Sequence, residues 1–379
     1  MLQRHDTRHA PLRLGPACYK KAMPSYAVTT PAQRYQAIVE RGALARLPEF
    51  LPQRAGSLFT VTTRDVWELY GPAFTAALAG RAFQTLFFPG GEQHKRLAAV
   101  EGLAEEMVAL GGDRSSVVIG FGGGIVTDLA GFLAAIFMRG VPFLSVPTTL
   151  LAQVDAGVGG KTGANLKSGK NLIGAFHQPL AVLTDPSLLA TLPEREYRAG
   201  LFEVLKCGVI RSPPLFRLLA ADPAPVLRRD PAVVERMIAE SVRIKCEVVS
   251  SDEKEHGLRR ILNFGHTIGH AIEAETGYTR YLHGEAVGLG MKAAAWLSLL
   301  ARRCSPEVTR QIVDSVDLYG PIPSAADLSP ERLLARLGSD KKTIRGAVHF
   351  VLATAIGSTE VVSGLEDSLI LEALRKALE

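Results

Sequence analysis

From about Ser25 to Thr184, short β-rich runs alternate with amphipathic helical stretches, and this alternation limits the possible folds more than any other feature of the chain. Leu58–Thr62, Thr85–Phe88, Ser116–Gly120, Pro142–Val146 and Ala181–Leu183 read as strands. Lys95–Leu110 and Asp128–Phe137 carry helical periodicity between them. Strand and helix in turn predict βαβ units and a largely parallel sheet. After Pro186 the texture changes. Leu201–Val209, Ala232–Ser250, Ile261–Thr276, Gly284–Arg302 and Glu307–Leu318 read as helices, and β-branched runs return only at Ala347–Ala353. The expectation is an α/β domain over residues 25–187 and a mainly helical domain over 188–379.

The formal net charge is +5, and its location matters more than its size. Residues 1–24 carry Arg4, Arg8, Arg13, Lys20 and Lys21 against one acid, Asp6. The rest is nearly neutral, which speaks against a nucleic-acid partner. The basic stretch lacks the apolar core of a secretory signal, and reads as a disordered extension or as residues upstream of the true start. The longest apolar run, Leu129 to Met138, has ten residues, against the ~20 that a bilayer span needs, so no membrane partner is expected. Cys18, Cys207, Cys246 and Cys304 form no CxxC pair. Reduced thiols in a cytoplasmic protein are expected, not a cysteine metal site.

Ser116–Gly120 leads into Gly122-Gly123-Gly124 and then a helix expected from about Thr127-Asp128. Glycines at a strand-to-helix turn let a pyrophosphate approach the backbone, and the helix start offers free N–H groups. The spacing is not GxGxxG, and a tight turn needing positive φ would use the same residues. Pro147-Thr148-Thr149 ends another strand, where hydroxyls can bond phosphate or ribose or merely cap a helix. Residues 155–171 read DAGVGGKTGANLKSGKN. Asp155 stands where a P-loop needs glycine, so this is no P-loop. It is expected as a mobile glycine-rich loop whose Lys161, Lys167 and Lys170 outnumber its one acid, which suits a small phosphorylated ligand.

Asn263, His266 and His270 are three and four residues apart where a helix is expected, and would share one face of it. His283 follows in His283-Gly284-Glu285. Three histidines and an amide so close in sequence favour a metal site. Spacing alone makes His266 and His270 the natural ligand pair, with His283 third, and supplies no carboxylate.

In combination these motifs resemble the 3-dehydroquinate synthase family. The resemblance lies in GGGIVTDLAGFLAAIFMRGVPFLSVPTTLLAQVDAGVGGKTGANLKSGKNLIGAFHQP, LPEREYRAGLFEVLKCG, KCEVVSSDEKEHGLRRILNFGHTIGHAIE, HGEAVGLGM, SDKK and FVLATAIG, in that order. It runs from about residue 26 to the C-terminus. It implies an N-terminal Rossmann-like parallel-sheet domain followed by a mainly α-helical metal-binding domain, catalytic NAD, one divalent metal (zinc, or else cobalt) and a homodimer. By the same resemblance the metal ligands are Glu203, His266 and His283, and His270 becomes a hydrogen-bonding residue of the site. NAD contacts fall on Gly91, Glu92, Lys95, Gly123, Gly124, Asp128, Thr148, Thr149, Lys161, Lys170 and Thr191. Substrate contacts fall on Asp155, Asn171, Lys206, Lys245, Arg259, Asn263, His270, Lys341 and Lys342. Arg139 would reach the substrate phosphate, within one chain or across a dimer interface. Two positions depart from the family pattern. Thr63 stands where many relatives carry Asp or Asn for the adenine ribose, and Thr127 where relatives often have glycine.

The activity so implied is conversion of 3-deoxy-D-arabino-heptulosonate 7-phosphate, a small phosphorylated keto acid, to 3-dehydroquinate and phosphate. Transient oxidation by NAD, β-elimination of phosphate, re-reduction and intramolecular aldol closure give this step of the shikimate pathway. Related cyclases such as 2-epi-5-epi-valiolone synthases take neutral sugar phosphates on the same scaffold, and metal-dependent polyol dehydrogenases share the architecture. A buried substrate carboxylate needs a cation, and Arg259, four residues before Asn263, is the fork-shaped candidate.

Overall fold

The computed structural model describes residues 24–339 and 348–379. The basic stretch through residue 23, with Cys18, and the Lys341-Lys342 pair lie outside the described residues. Seven strands form one sheet: β1 (Ser25–Thr29), β2 (Arg34–Val39), β3 (Leu58–Thr62), β4 (Gln84–Phe87), β5 (Val117–Gly122), β6 (Phe143–Pro147) and, after a hairpin of β7 (Lys161–Leu166) and β8 (Gly169–Phe176), β9 (Ala181–Thr184). Their order is β1-β2-β9-β6-β5-β3-β4. β1 pairs antiparallel with β2, and every other pairing in the sheet is parallel. The expected strands are β3 to β6 and β9, with ends displaced by at most two residues.

Helices α1 (Arg64–Ala77), α2 (Leu97–Ala109) and α3 (Gly124–Ile136) link the strands. The reason β5 reads as a continuous apolar run is that both of its faces are covered. Val118 enters the core beneath α2 and α3, while Val117, Ile119 and Phe121 enter the opposite core with Phe74 of α1. From β3 the chain steps outward to β4, then returns to lay β5 on the other side of β3. The order reverses there, so the loops after β3 and β5 diverge and open a crevice at the carboxyl ends of the strands. Thr63 and Gly123 sit at its two lips.

Three expectations need correction. Residues 155–171 are no mobile loop: a π-helical turn at Ala152–Ala156 leads into the β7–β8 hairpin. Its glycines serve close strand contact, since a Cβ on Gly174 would lie 2.0 Å from the Thr162 carbonyl oxygen. The helix after β5 begins at Gly124 rather than near Thr127, whose hydroxyl bonds the Gly124 carbonyl within the first turn at 3.0 Å. The helix expected over Ile261–Thr276 is broken. A 3-10 turn spans Leu258–Asn263, Gly265 turns left-handed at φ +79°, and only then does an α-helix start. Asn263 therefore does not share a helix face with His266 and His270.

Beyond β9 come α4 (Glu194–Arg211), α5 (Pro213–Ala221), α6 (Pro223–Leu227), α7 (Pro231–Ser251), α8 (His266–Glu275), α9 (His283–Leu300), α10 (Pro306–Leu318), α11 (Pro330–Ser339), a hairpin of β10 (His349–Ala355) and β11 (Ser358–Ser363), and α12 (Asp367–Leu378). The break at Gly265 has its cause in α9. A Cβ on Gly290 would lie 1.9 Å from the Gly265 carbonyl oxygen, and one on Gly284 would lie 1.9 Å from that of Ala199 on α4. Glycine thus brings α4, α8 and α9 to backbone contact. One core cluster runs across both parts of the chain, from Val28, Val39 and Val182 of the sheet to Leu205 on α4 and Val242 on α7. No helix among the described residues is long and apolar enough to cross a membrane.

Gly290→Ala should lower stability by about 3 kcal/mol, because the added methyl meets backbone that cannot move aside. Gly102→Ala on α2, where a Cβ meets nothing within 4 Å, should instead raise it by about 0.5 kcal/mol. Urea unfolding of the two variants beside the parent chain measures both.

Candidate active site

A cleft of about 1640 Å³ lies between the sheet's carboxyl edge and the helices that follow. Among the described candidate residues, Arg139, Lys167 and Glu203 do not line it. Arg139 is exposed on the turn after α3, where Met138 and Arg139 have φ of 49° and 71°. Glu203 lies behind the wall, fully buried.

On the sheet side, the glycines after β5 are there for room rather than for positive φ. A Cβ on Gly123 would lie 3.1 Å from Thr149, and one on Gly124 would lie 3.0 Å from Ala156. The first turn of α3 lines this narrow space, and the free N–H groups of a helix start there fit a pyrophosphate. Lys95, buried, donates to Asp128 at 2.6 Å and to Asn171 at 2.7 Å. Gly91, at φ +79°, opens the turn that carries Glu92. The Thr191 hydroxyl meets that of Tyr70 at 2.7 Å, and Thr149 accepts from Ala152 N–H at 3.2 Å. Thr148 and Thr63 complete the lip.

On the helical side, three helices each deliver one donor group. His266 Nε2 and His283 Nε2 stand 3.5 Å and 3.7 Å from Glu203 Oε1. The donor atoms of Glu203, His266 and His283 all lie within 4.8 Å of one another. Lys206, one turn along α4, pairs with Glu203 Oε2. Yet neither carboxylate oxygen accepts a hydrogen bond of normal geometry, an unusual state for a fully buried acid. Burial, Lys206 and His283 hold the His266 pKa well below its ordinary value, so its ring is neutral and offers a lone pair. One carboxylate and two imidazoles converging on a common point fit a divalent metal of zinc type with positions left open. His270, one turn after His266 on α8, stacks on His283 with centroids 5.8 Å apart. It belongs to a second converging group, with Glu273 and His283, and not to the first.

Between the two sides lies a row of alternating charge. Lys245 Nζ donates to Asp155 Oδ1 at 2.6 Å, and Lys206 Nζ lies 3.9 Å from the same oxygen. Burial alone would raise the Asp155 pKa, but Lys245 and Lys206 override it and hold the carboxyl well below its usual range. Burial lowers the Lys245 pKa, against the pull of Asp155. Two of the three lysines that seemed to outnumber their acids in residues 155–171 find acids from elsewhere in the chain. Lys161 pairs with Glu255, which also accepts from Asn263. Lys170 pairs with Glu273 at 2.9 Å and lies 3.6 Å from Glu92. Glu255 and Glu273 went unnoticed in the sequence because nothing in their spacing marks them. Glu273 has one visible trace, its position three residues after His270 on the same helix face. Arg259, 2% exposed, donates to the carbonyls of Glu253 and of Gly159, the latter at 3.1 Å.

Fold and site define a metal-ready α/β enzyme, with a nucleotide turn and a three-donor cluster opening on one cleft. Residues 85–199 match the family model for the 3-dehydroquinate synthase N-terminal region, and residues 200–343 the model for its C-terminal region. A 3-dehydroquinate synthase from Solibacter usitatus (strain Ellin6076) is 61% identical over 94% of this chain and 100% of its own length. Among solved structures, a 2-epi-5-epi-valiolone synthase from Streptomyces hygroscopicus subsp. jinggangensis 5008, with NAD+ and Zn2+ bound, is 30% identical with a TM-score of 0.81, over 90% of this chain and 96% of that one. A 2-deoxy-scyllo-inosose synthase complexed with carbaglucose-6-phosphate, NAD+ and Co2+ is 25% identical with a TM-score of 0.83, over 93% and 99%. The chain belongs to the 3-dehydroquinate synthase family.

Lys245→Met should cost about 2 kcal/mol at pH 7, because it leaves the half-buried Asp155 with one lysine, Lys206, at 3.9 Å. The loss should shrink toward pH 4. In the parent, the depressed Asp155 contributes stability above the unfolded carboxyl pKa and loses it as pH falls through the lower folded value. In the variant, burial raises the folded pKa, so stability falls as pH rises instead. Denaturant unfolding of both proteins at pH 4 and pH 7 measures the difference.

Proposed function

We propose that this chain converts 3-deoxy-D-arabino-heptulosonate 7-phosphate to 3-dehydroquinate and phosphate. NAD would be held at the Gly123-Gly124 turn, and one divalent metal, zinc or cobalt, by Glu203, His266 and His283. One observation carries the reading: a nucleotide-sized turn and a converging three-donor cluster open on the same cleft beside a buried guanidinium. The high identity to a 3-dehydroquinate synthase, against 30% or less to the two sugar-specific cyclases, supports the acid as substrate. When bound, NAD supplies a transient oxidation of a substrate carbinol, and the metal supplies Lewis acidity at its oxygen.

The chain's own residues orient, neutralise and exclude water. Two backbone carbonyls fix the plane of Arg259, so it meets the substrate carboxylate already oriented. Lys206 and Lys245 keep Asp155 ionised beside the metal donors, where it can accept from a substrate hydroxyl. Lys161 and Asn263, held together through Glu255, present donors to the phosphate side. Asn171, at φ +51° and anchored by Lys95, places its amide between cofactor and substrate. Lys341 and Lys342 add cations for the phosphate in this reading.

The active form would be a homodimer, in which a second copy delivers Arg139 to the phosphate. Ile136 and Met138, 47% and 39% exposed beside it, give that turn an apolar contact surface. The division between domains falls at 187/188, after the last strand of the sheet. Cys207, Cys246 and Cys304 are free thiols, which supports the cytoplasm as compartment.

The test is phosphate release by metal-loaded protein with catalytic NAD, offered either the heptulosonate phosphate or sedoheptulose 7-phosphate. Release from the acid alone, without net NADH, is expected. Release only from the neutral sugar, or stoichiometric NADH, would overturn the assignment. Arg259→Lys should lose about 100-fold in turnover, ~3 kcal/mol for a split charge pair, with NAD affinity within threefold of the parent by fluorescence titration.

A further inference from the structure

We propose that Glu273 is a positioning residue for the metal centre: its carboxylate holds Nδ1 of His283 and so turns Nε2 toward Glu203 and His266. This deepens the metal reading above and rests on it.

Glu273 lies in the interior of α8, 2% exposed. With His266 and His270 it follows the i, i+4, i+7 row on one helix face. A carboxylate so deeply buried persists only when paired, and each oxygen of Glu273 has its own partner. Oε2 lies 3.2 Å from His283 Nδ1, and Oε1 accepts from Lys170 Nζ at 2.9 Å. The opposite nitrogen of the same ring, Nε2, lies 3.7 Å from Glu203 Oε1. One imidazole thus stands between two carboxylates, one at the donor cluster and one behind it.

The chemistry of the ring decides which does what. A carboxylate at Nδ1 accepts the ring proton there, which leaves the Nε2 lone pair for a metal. It also makes the imidazole more basic and fixes its rotation. His266 has a different anchor, its Nδ1 lying 3.3 Å from the Phe264 carbonyl oxygen. That anchor is backbone and belongs to the helical side. The anchor of His283 is a charged side chain, tied through Lys170 to β8 on the sheet side, and Lys170 also reaches toward Glu92 at 3.6 Å. Of the two histidines in the three-donor cluster, His283 is the one whose orientation depends on the sheet side of the cleft.

Metal-free protein titrated with Co2+, followed by visible absorption and by competition with a chromophoric chelator, tests this without any turnover. Glu203→Gln should abolish tight Co2+ binding. Glu273→Gln should bind Co2+ about 10- to 100-fold more weakly, with a shifted visible spectrum, while metal-free thermal unfolding stays close to the parent. If the Gln variant fails to fold, Glu273→Asp withdraws the carboxylate by one methylene and should weaken binding in the same direction. Parental affinity and spectrum in the Glu273 variants, with Glu203→Gln still inactive toward Co2+, would overturn the positioning role and leave the metal reading standing. Loss of binding in Glu273→Gln with binding retained in Glu203→Gln would put the ion among His270, Glu273 and His283, and overturn it as well. Absence of tight Co2+ binding by the parent protein would defeat the metal reading itself.

Discussion

A carboxylate with no exposed surface is the constraint around which the rest of this molecule is arranged. Glu203 on α4 places a carboxylate in the interior, where positive or electron-accepting groups must surround it. The chain answers with Lys206 one turn away, and that lysine calls for its own counter-charge, which Asp155 supplies from the turn before β7. Lys245 on α7 then balances Asp155. The series Glu203, Lys206, Asp155, Lys245 fixes α4, α7 and the end of the sheet relative to one another. The four charges cancel, and what stays unmet is the Glu203 carboxylate as an acceptor, with two imidazoles converging on its Oε1 side. A metal ion is the group that fits such an oxygen and two ring nitrogens.

Much of this was legible in the sequence, for identifiable reasons. β3, β5, β6 and β9 are buried on both faces, so they read as short runs of mostly apolar and β-branched residues without polar alternation. The long helices α7, α9 and α10 carry enough turns for their periodicity to show. Less legible were elements whose logic is tertiary. β1 forms the sheet edge, β2 joins it to β9, and α7 packs against both. The β7–β8 hairpin is so rich in glycine and lysine that its composition mimics a loop. The break at Gly265 follows from a contact with Gly290, which no local pattern reveals.

The site shows the same division. Histidines announce themselves by spacing, but spacing could not choose between His270 and Glu203 as partners of His266 and His283. The family resemblance pointed to the carboxylate, whose burial and convergence with the rings are tertiary facts. Acids that pair across the cleft, Glu255 and Glu273, carry no motif of their own. They enter when the cleft is assembled, and both reach from the helical side to a lysine of the β7–β8 hairpin. The walls of the cleft are therefore joined by ion pairs that sit within reach of the ligands it would hold. A phosphate or carboxylate entering there would compete with Glu255 and Glu273 for the same lysines.

The core cluster shared between sheet and helices bears on how this protein can vary over evolutionary time. Val28, Val39 and Val182 interlock with side chains of α4 and α7 in one packed cluster, so beside the cores each half keeps to itself there is one that both must build. Recombination that joins the first half of one relative to the second half of another would bring together surfaces shaped in different lineages, and the mismatch would fall in the packed interior and not at a solvated seam. Such a lineage is expected to change its substrate by residue replacement at the cleft far more readily than by exchange of halves. The nucleotide turn and the metal helices then travel together as one inherited unit, although they lie on opposite sides of the opening.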